Sequence, residues 1–520
     1  MEQVIKIRPY NSVFYKLDTD PGTLRLLWDK FRVRKTNYQF HPKYKAGIWD
    51  GYIPFVNMRN ATVGRGLLDL LKEYAETCDI VVDDSEVFEN DTYTRSSVEE
   101  YIKSLNVVRT TPEGNIVPIQ FFDYQIEMVC SAILRRRSVL EAATSAGKSL
   151  GIYGFVRWFL DHNLGKKIVV IVPRTSLVEQ MESDFKDYSK ANGFDVDGCV
   201  HKLYSGKEKD TDKSILITTW QSLKNFDDKW YNDSDMYGVL VDECHTCSAN
   251  VLKDILSKLI YAEYRIGTTG TIPKPLEDKY TLFSMIGTDV KIVKAHELIE
   301  TNRASPVEIT CCLLKYDQEI CKMVNPSKSA ARKNGKSGSD IFREECDFVF
   351  TSDKRKKFIT KLTNYMTGNT LILSSRLDVL DGLEEEFKNK YPEKKLYRID
   401  GKTEVEDREK TRQIINLEED NSVLLGSTQC VSTGINLPRI HNIVFATGTK
   451  AFITLSQAIG RGLRKADDKD VCKVFDIVDD LRFIGKSGNE RKNYMFNHFE
   501  ERIVLYSDAK FPFKVLNFKI

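Results

Sequence analysis

No stretch of the 520 residues approaches the roughly 18 uninterrupted apolar residues of a membrane span, which argues against a helical membrane protein and predicts a soluble chain with no membrane partner. Net charge is nearly absent: 77 Lys and Arg stand against 75 Asp and Glu, giving +2 at pH 7. That balance excludes a protein held on polyanions by global charge, so any polyanion site has to be a local patch. The 11 cysteines are odd in number and irregular in spacing, which fits a reducing cytoplasm better than a disulfide framework. Met1–Phe14 holds neither an apolar signal core nor a small-residue cleavage site, so secretion is not expected. No heptad or evident dimer helix appears, and a monomer is expected. There is also no nuclease-like cluster of carboxylates with lysine and no low-complexity repeat. What is present is ordinary globular composition, 41% hydrophobic and 29% charged, long enough for three or four domains at about 150 residues each.

Short β-rich apolar strings recur, each ending in a polar or Gly-rich turn and separated from the next by helical stretches. The first set is Ser138–Ala142, Lys167–Pro173, Ser214–Trp220, Gly238–Glu243 and Tyr264–Thr269; the second is Leu371–Ser375, Lys395–Asp400, Ser422–Thr428, Asn442–Thr449 and Cys472–Asp479. Val, Ile and Leu strings at helix-length spacing predict parallel sheets buried on both faces, hence two tandem α/β domains. Such sheets bind ligands beyond the carboxyl ends of their strands, where these polar turns fall. Residues 1–112 read instead as a small α+β domain, with Leu67–Thr77 as its clearest amphipathic helix. The expected division is 1–112, 113–305, 306–480 and a helical C-terminal region 481–520, with 325–340 as a mobile loop.

The strongest element is Ala142-Ala-Thr144-Ser145-Ala146-Gly147-Lys148-Ser149, between a predicted strand and a helical run. Gly147 permits tight curvature, the N–H groups of Thr144 to Gly147 can cradle phosphate, Lys148 can reach the β/γ-phosphates and Ser149 can hold Mg²⁺. Ala142 stands where the generic loop has Gly, and alone the stretch could be a plain strand, turn and helix. It is not alone: Val239-Leu-Val-Asp242-Glu243-Cys244-His245 runs an apolar strand into two carboxylates, 94 positions beyond Lys148. Asp242 would hold the metal and Glu243 act as general base. An isolated Asp-Glu at a strand end would be a solvated face; beside a phosphate loop it is a catalytic pair. Cys244 and Cys247 form a C-x-x-C, but no second pair has zinc spacing.

These residues resemble motifs I and II of the superfamily 2 helicases and translocases. Phe122-Asp-Tyr124-Gln125 is similar to that family's adenine-reading element, with Gln125 as reader. Val172-Pro173-Arg174-Thr175-Ser176-Leu177 resembles motif Ia, Thr218-Thr219-Trp220-Gln221 the next strand-contacting motif, and Gly267-Thr-Thr269-Gly270-Thr271 the coupling motif III, with Gly270 for the more usual Ala. Ser432-Thr433-Gly434-Ile-Asn436 resembles motif V and Gln457-Ala-Ile-Gly460-Arg461-Gly-Leu-Arg464 motif VI. The resemblance implies two RecA-like domains and use of ATP with Mg²⁺. It places Gln457, Arg461 and Arg464 in catalysis and Gly434 at the nucleotide, with Arg174, Thr175, Ser176, Thr219, Ser432 and Thr433 on nucleic acid. ATP gripped by both domains favours closure and hydrolysis releases it, which moves the protein along a strand.

Lys30–Trp49 carries six Lys or Arg and no Asp or Glu, interleaved with Phe31, Tyr38, Phe40, Tyr44 and Trp49. The basic groups, Lys43 and Lys45 among them, can pair with phosphates, while the aromatics either stack on bases or fill the small domain's core. This region, the segment Ile133–Arg137 and the tail Tyr506–Phe511 resemble phage recombination helicases. That narrower resemblance implies action on branched or duplex DNA, single-stranded DNA and RNA–DNA hybrids in host cytoplasm, on Holliday junctions, stalled forks, D-loops and R-loops. The competing readings are a restriction-system motor, an RNA helicase, or a nucleic-acid-binding scaffold with weak ATPase.

Overall fold

The computed structural model describes residues 3–87, 93–111, 114–204, 212–246, 249–325, 337–417, 420–431, 437, 439–448, 470–485 and 488–520. The chain divides into two units, Met1–Val293 and Lys294–Ile520. The first is built on seven strands: β1 (Arg137–Ala142), β2 (Lys167–Val172), β3 (Val200–Leu203), β4 (Ile215–Thr219), β5 (Met236–Val241), β6 (Tyr264–Thr269) and β7 (Asp289–Val293). Their order is β3-β4-β2-β5-β6-β1-β7, with every neighbouring pair parallel.

The second unit repeats this winding. Its strands are β8 (Val307–Lys315), β9 (Thr370–Ser374), β10 (Leu396–Ile399), β11 (Val423–Ser427), β12 (Asn442–Phe445), β13 (Cys472–Asp480) and β14 (Phe513–Lys519). They lie in the order β10-β11-β9-β12-β13-β8-β14, again all parallel. Position for position this is the order of the first sheet, so the chain carries two tandem RecA-like domains. The central strands β2, β4, β9, β11 and β12 are buried almost end to end because helices cover both faces, which is why they read as unbroken apolar strings.

Strands that the sequence pattern does not predict are mostly at sheet edges. β3, β7 and β14 pair on one side only and are partly exposed, so polar residues interrupt them. β8 is interrupted near its start by the exposed Glu308. The C-terminal region departs from the helical expectation: Tyr494–Asp508 is a helix, but Phe513–Lys519 returns as β14 alongside β8, from Ile309 opposite Phe513 to Lys315 opposite Lys519. Phe, Val and Leu interspersed with Lys and Asn in an exposed edge strand do not give the apolar run of a buried one.

The N-terminal segment forms a five-stranded sheet in the order Val56–Asn57, Thr62–Gly64, Phe14–Asp18, Val4–Pro9, Val81–Asp83, with helices Pro21–Lys30 and Leu68–Thr77. Ile5, Ile7, Leu27 and Leu71 join Val139, Val169, Leu256 and Ile286 in one hydrophobic core, so this sheet is continuous in packing with the first large sheet. A hairpin pairs Val108–Thr110 with Ile116–Pro118 across position 112. Residues 326–336 of the Lys- and Ser-rich stretch lie outside the described residues.

Candidate active site

The phosphate-type loop leaves β1 at Ala142 and enters the helix Lys148–His162. Two of its residues adopt left-handed backbone, Ser145 at φ 77° and Gly147 at φ 71°, a conformation that costs a residue with a Cβ about 1 kcal/mol or more. A Cβ on Gly147 would also meet Gln125 Nε2 at 2.5 Å. Gln125 is buried and braces the loop: its Nε2 donates to the carbonyls of Ala146 and Gly147 at 3.0 and 3.3 Å, and its Oε1 accepts the Phe122 N–H at 2.9 Å. The groups that the sequence reading reserves for adenine are thus engaged by backbone in this arrangement.

Two strands away, β5 delivers Asp242 and Glu243. Lys148 Nζ lies 3.1 Å from Glu243 Oε1 and donates to the Ala142 carbonyl at 3.3 Å. Glu243 sits at φ 46°, so the chain turns sharply as it leaves the strand. Asp242 Oδ1 accepts hydrogen bonds from Thr268 Oγ1 at 2.6 Å and from the Glu243 N–H at 3.0 Å. Burial and the neighbouring Glu243 charge push the Asp242 carboxyl up to about 6. Burial also acts to raise Glu243, but the Lys148 ammonium and His245 outweigh it and hold that carboxyl below its ordinary value. The two acids are therefore set apart, one carrying a stable negative charge against Lys148 and the other ready to respond to an added cation.

The turn after β6 is wired into this pair. Thr269 Oγ1 donates to the Thr271 carbonyl at 2.8 Å, so His245 presents Nδ1–H to the same oxygen at 2.6 Å. A Cβ on Gly270 would lie 3.4 Å from Thr144 Oγ1, ordinary contact, so the Ala more usual at that position would fit. Burial pushes the Cys244 thiol well above its ordinary value, which leaves it unreactive; Cys247 lies outside the described residues.

Ser149 Oγ is 3.2 Å from Tyr188 Oη, near the end of the helix Thr175–Ser189. Burial drives the Tyr188 phenol well up, so it stays neutral and can donate or accept. Neither this partner of Ser149 nor Thr268 under Asp242 was singled out from sequence. Thr268 was legible within the Gly-Thr-Thr-Gly turn, whereas Tyr188, 39 residues from Ser149, carries no local signal. In the second unit, the Ser375 N–H donates to Thr447 Oγ1 at 2.8 Å just beyond β9 and β12, another pairing missed from sequence.

The donor set fits a nucleotide with a divalent cation: a hydroxyl at Ser149, a carboxylate at Asp242, and Glu243 Oε2 buried with no hydrogen bond. Among the described residues no group of three or more His, Cys, Asp or Glu is placed to hold a metal on protein ligands alone, and no helix is long and apolar enough to cross a membrane.

The residues expected to contact nucleic acid divide. Thr175 and Ser176 are exposed at the start of their helix and Arg174 is half-buried. Thr219 is buried, and its hydroxyl caps the turn Trp220–Leu223 by accepting the Ser222 N–H, so the exposed group there is Gln221. Lys43 and Lys45 are exposed on the short helix Pro42–Lys45, within a finger that leaves the strand Arg32–Arg34 and returns at Tyr52–Pro54. Of its aromatics Phe31 is core, while Phe40 is 68% exposed. Arg32 and Arg34 lie over Tyr52 at 4.8 and 4.9 Å, which makes them part of the finger's own packing. Ser432, Thr433, Gly434, Gln457, Arg461 and Arg464 lie outside the described residues.

Residues 118–274 match the family of type III restriction enzyme res subunits, and residues 353–466 match the helicase conserved C-terminal domain. With the repeated parallel sheets these define the class: the chain is a superfamily 2 helicase, an ATP-hydrolysing enzyme. In particular it is similar to the ATP-dependent DNA helicase uvsW of Enterobacteria phage T4, 27% identical over 525 residues that cover 98% of each chain. The crystal structure of T4 UvsW aligns over 100% of both chains with a TM-score of 0.50 at 26% identity. A subunit of the type I restriction endonuclease EcoAI from Escherichia coli is 24% identical over 66% of this chain and 43% of its own length. The DNA-bound DUF1998 helicase MrfA shares the fold, with a TM-score of 0.52 at 13% identity over 82% of this chain and 60% of that one.

Proposed function

We propose that this chain is a DNA helicase that uses ATP to unwind and branch-migrate branched DNA, including Holliday junctions, stalled forks, D-loops and R-loops, during phage recombination, repair and replication control in the host cytoplasm. The observation that carries this reading is similarity along nearly the whole chain to T4 UvsW, finger region included. Lys148 contacts the β/γ-phosphates, and Glu243 takes the proton from the attacking water. Ser149 and Asp242 hold Mg²⁺, which when bound neutralises charge on the phosphate oxygens. Gln457, Arg461 and Arg464 serve the transferring phosphate, and Gly434 and the loop Thr144–Gly147 the nucleotide. Arg174, Thr175, Ser176, Ser432, Thr433, Lys43 and Lys45 contact the DNA backbone, which carries no sequence preference.

The test compares ATP turnover on matched single-stranded DNA, duplex, RNA and a four-way junction, followed by junction dissociation with and without ATP. Strongest stimulation by the junction with ATP-dependent strand exchange is expected. Preference for RNA, or stimulation without strand separation, would remove the branched-DNA role.

Two further outcomes follow from the geometry. Lys43→Glu with Lys45→Glu should weaken junction binding at low salt and flatten its salt dependence, by roughly one unit of log–log slope for each phosphate that is no longer neutralised; an unchanged salt series would take the finger off the DNA path. Tyr188→Phe deletes one hydroxyl, so the fold should lose only about 1 kcal/mol. Its expected signature is Mg²⁺-dependent ADP binding weakened by about 10-fold with metal-free ADP binding unchanged, read by titration calorimetry in Mg²⁺ and in EDTA. Equal affinities to the wild type in both buffers would separate Tyr188 from the metal site.

A further inference from the structure

The finger is fastened to the ATP-binding domain at a buried carboxylate. Glu277 is 8% exposed, and both its oxygens go to the finger's base: Oε1 accepts the Thr36 N–H at 2.7 Å and Oε2 accepts the Thr36 hydroxyl at 3.2 Å. Thr36 lies 241 positions away in sequence. Glu277 belongs to the helix Leu276–Met285, and the same helix is packed against the N-terminal segment along its length. Tyr280 meets Phe31 and Phe55 with ring centroids at 6.4 and 5.5 Å. Further on, Gly66 and Gly64 approach so closely that a Cβ would fall 2.0 Å from the Phe283 carbonyl oxygen and 2.1 Å from Ser284 Oγ.

The finger itself is internally braced. The Lys35 N–H donates to the Gly51 carbonyl at 2.9 Å, Trp49 Nε1 to the Tyr52 carbonyl at 2.7 Å, and Tyr38 packs edge-on against Tyr44 at 4.7 Å. Lys43 and Lys45 are thus carried on a stiff lever whose root is Thr36.

The N-terminal end of the same helix, the end that carries Glu277, follows the turn Thr269–Thr271, with Glu277 six residues beyond Thr271. The end of β6 and this turn meet the nucleotide site at three points: Thr268 bonds Asp242, Thr269 bonds His245, which lies beside Glu243, and Gly270 faces Thr144 of the loop after β1. Packed interfaces of this kind shift between discrete arrangements and do not stretch, so a displacement of the turn passes to whatever the helix carries.

We propose that Glu277 is a positioning residue that ties DNA contact on the finger to the turn Thr269–Thr271 beside the nucleotide site, through the short segment 272–276 that leads from that turn into the helix Leu276–Met285. This rests on the reading of Lys43 and Lys45 as DNA contacts. Coupling of this kind is reciprocal: nucleotide changes affinity for DNA by the factor by which DNA changes affinity for nucleotide.

The experiment uses the full chain and a fluorescein-labelled four-way junction, with anisotropy titrations in the absence of nucleotide and in saturating Mg²⁺–ADP. The wild type should show at least about a 5-fold ratio between the two affinities. Glu277→Ala should bring that ratio close to one and cut junction-stimulated ATP turnover by at least about 5-fold, with unstimulated turnover unchanged. Glu277→Gln keeps a carbonyl acceptor for the Thr36 N–H and should recover most of the ratio. Thr36→Val severs the hydroxyl half of the clasp from the finger side and should give an intermediate ratio, which keeps the test alive if Glu277→Ala does not fold. A wild-type ratio of one overturns the proposal, as do wild-type ratio and stimulation in either Glu277→Ala or Thr36→Val. Lys43→Glu with Lys45→Glu separates the two failures: unchanged junction affinity in that variant overturns the DNA reading of the finger, whereas weakened affinity with an intact ratio in the Glu277 and Thr36 variants overturns the tie alone.

Discussion

Lys148→Ala is expected to lower ATP turnover by about 10²–10³-fold, the usual cost of removing one well-placed charged donor from a developing oxyanion, or ~2.7–4 kcal/mol of barrier. Junction binding should survive, because the residues assigned to DNA are on other elements. The structure adds a stability signature to this kinetic one. Lys148 is the foremost of the groups that outweigh burial at Glu243 and hold its carboxyl below the ordinary range. A group with a depressed folded-state pKa stabilises the fold above its unfolded pKa and loses that contribution as pH falls through its folded pKa. Without Lys148 its share of that contribution is gone at every pH, so the gap in Tm between wild type and variant should be widest near neutrality and close in acid. Thermal melts from neutral pH down through the carboxylate range measure it. A gap independent of pH would mean that Lys148 and Glu243 are not energetically paired, and loss of junction binding together with turnover would contradict the separation of the two sites.

Glu243→Gln should stop the chemical step while preserving the architecture. The side chain keeps its length, and Gln tolerates the left-handed backbone of position 243 no worse than Glu. What disappears is the proton acceptor, and general-base loss costs about 10²–10⁴ in rate. Since Lys148 and the loop remain, ATP should bind and stay, so the variant should accumulate uncleaved nucleotide. Single-turnover quench experiments with labelled ATP separate binding from cleavage. A normal burst of hydrolysis in Glu243→Gln would move the general base elsewhere. Asp242 is the less suitable base in this geometry, since its Oδ1 already accepts hydrogen bonds from Thr268 and from the Glu243 N–H.

The parts of the fold legible in sequence are those where one physical demand acts on consecutive residues. β2 and β9 are covered on both faces, so every position has to be apolar and the string announces itself. β14 pairs only with β8 and is exposed over most of its length, so nothing compels an unbroken apolar run, and its Phe and Val residues do not separate a terminal strand from a terminal helix. The candidate site divides the same way. Gly147, Lys148, Asp242 and Glu243 stood out because a phosphate loop or a strand-end carboxylate pair must be built within a few residues. Thr219, by contrast, looked like a contact because its motif is a contact motif, yet in the folded chain its hydroxyl closes a turn and Gln221 is the exposed neighbour.

By itself, the sequence determined the tandem parallel α/β design, the tight strand-to-helix loop Ala142–Ser149 and the Asp-Glu pair at the end of β5, all consequences of local backbone geometry and of burial that repeats along one strand. Only the tertiary structure decided that Tyr188 holds Ser149, that Thr268 supports Asp242, that the N-terminal sheet shares its core with β1 and β2, and that Glu277 clasps the finger at Thr36. Each of these joins residues 26 to 241 positions apart. A side chain's partner at such a distance is set by how whole elements pack, and a sequence read segment by segment contains the two partners without the packing that brings them together.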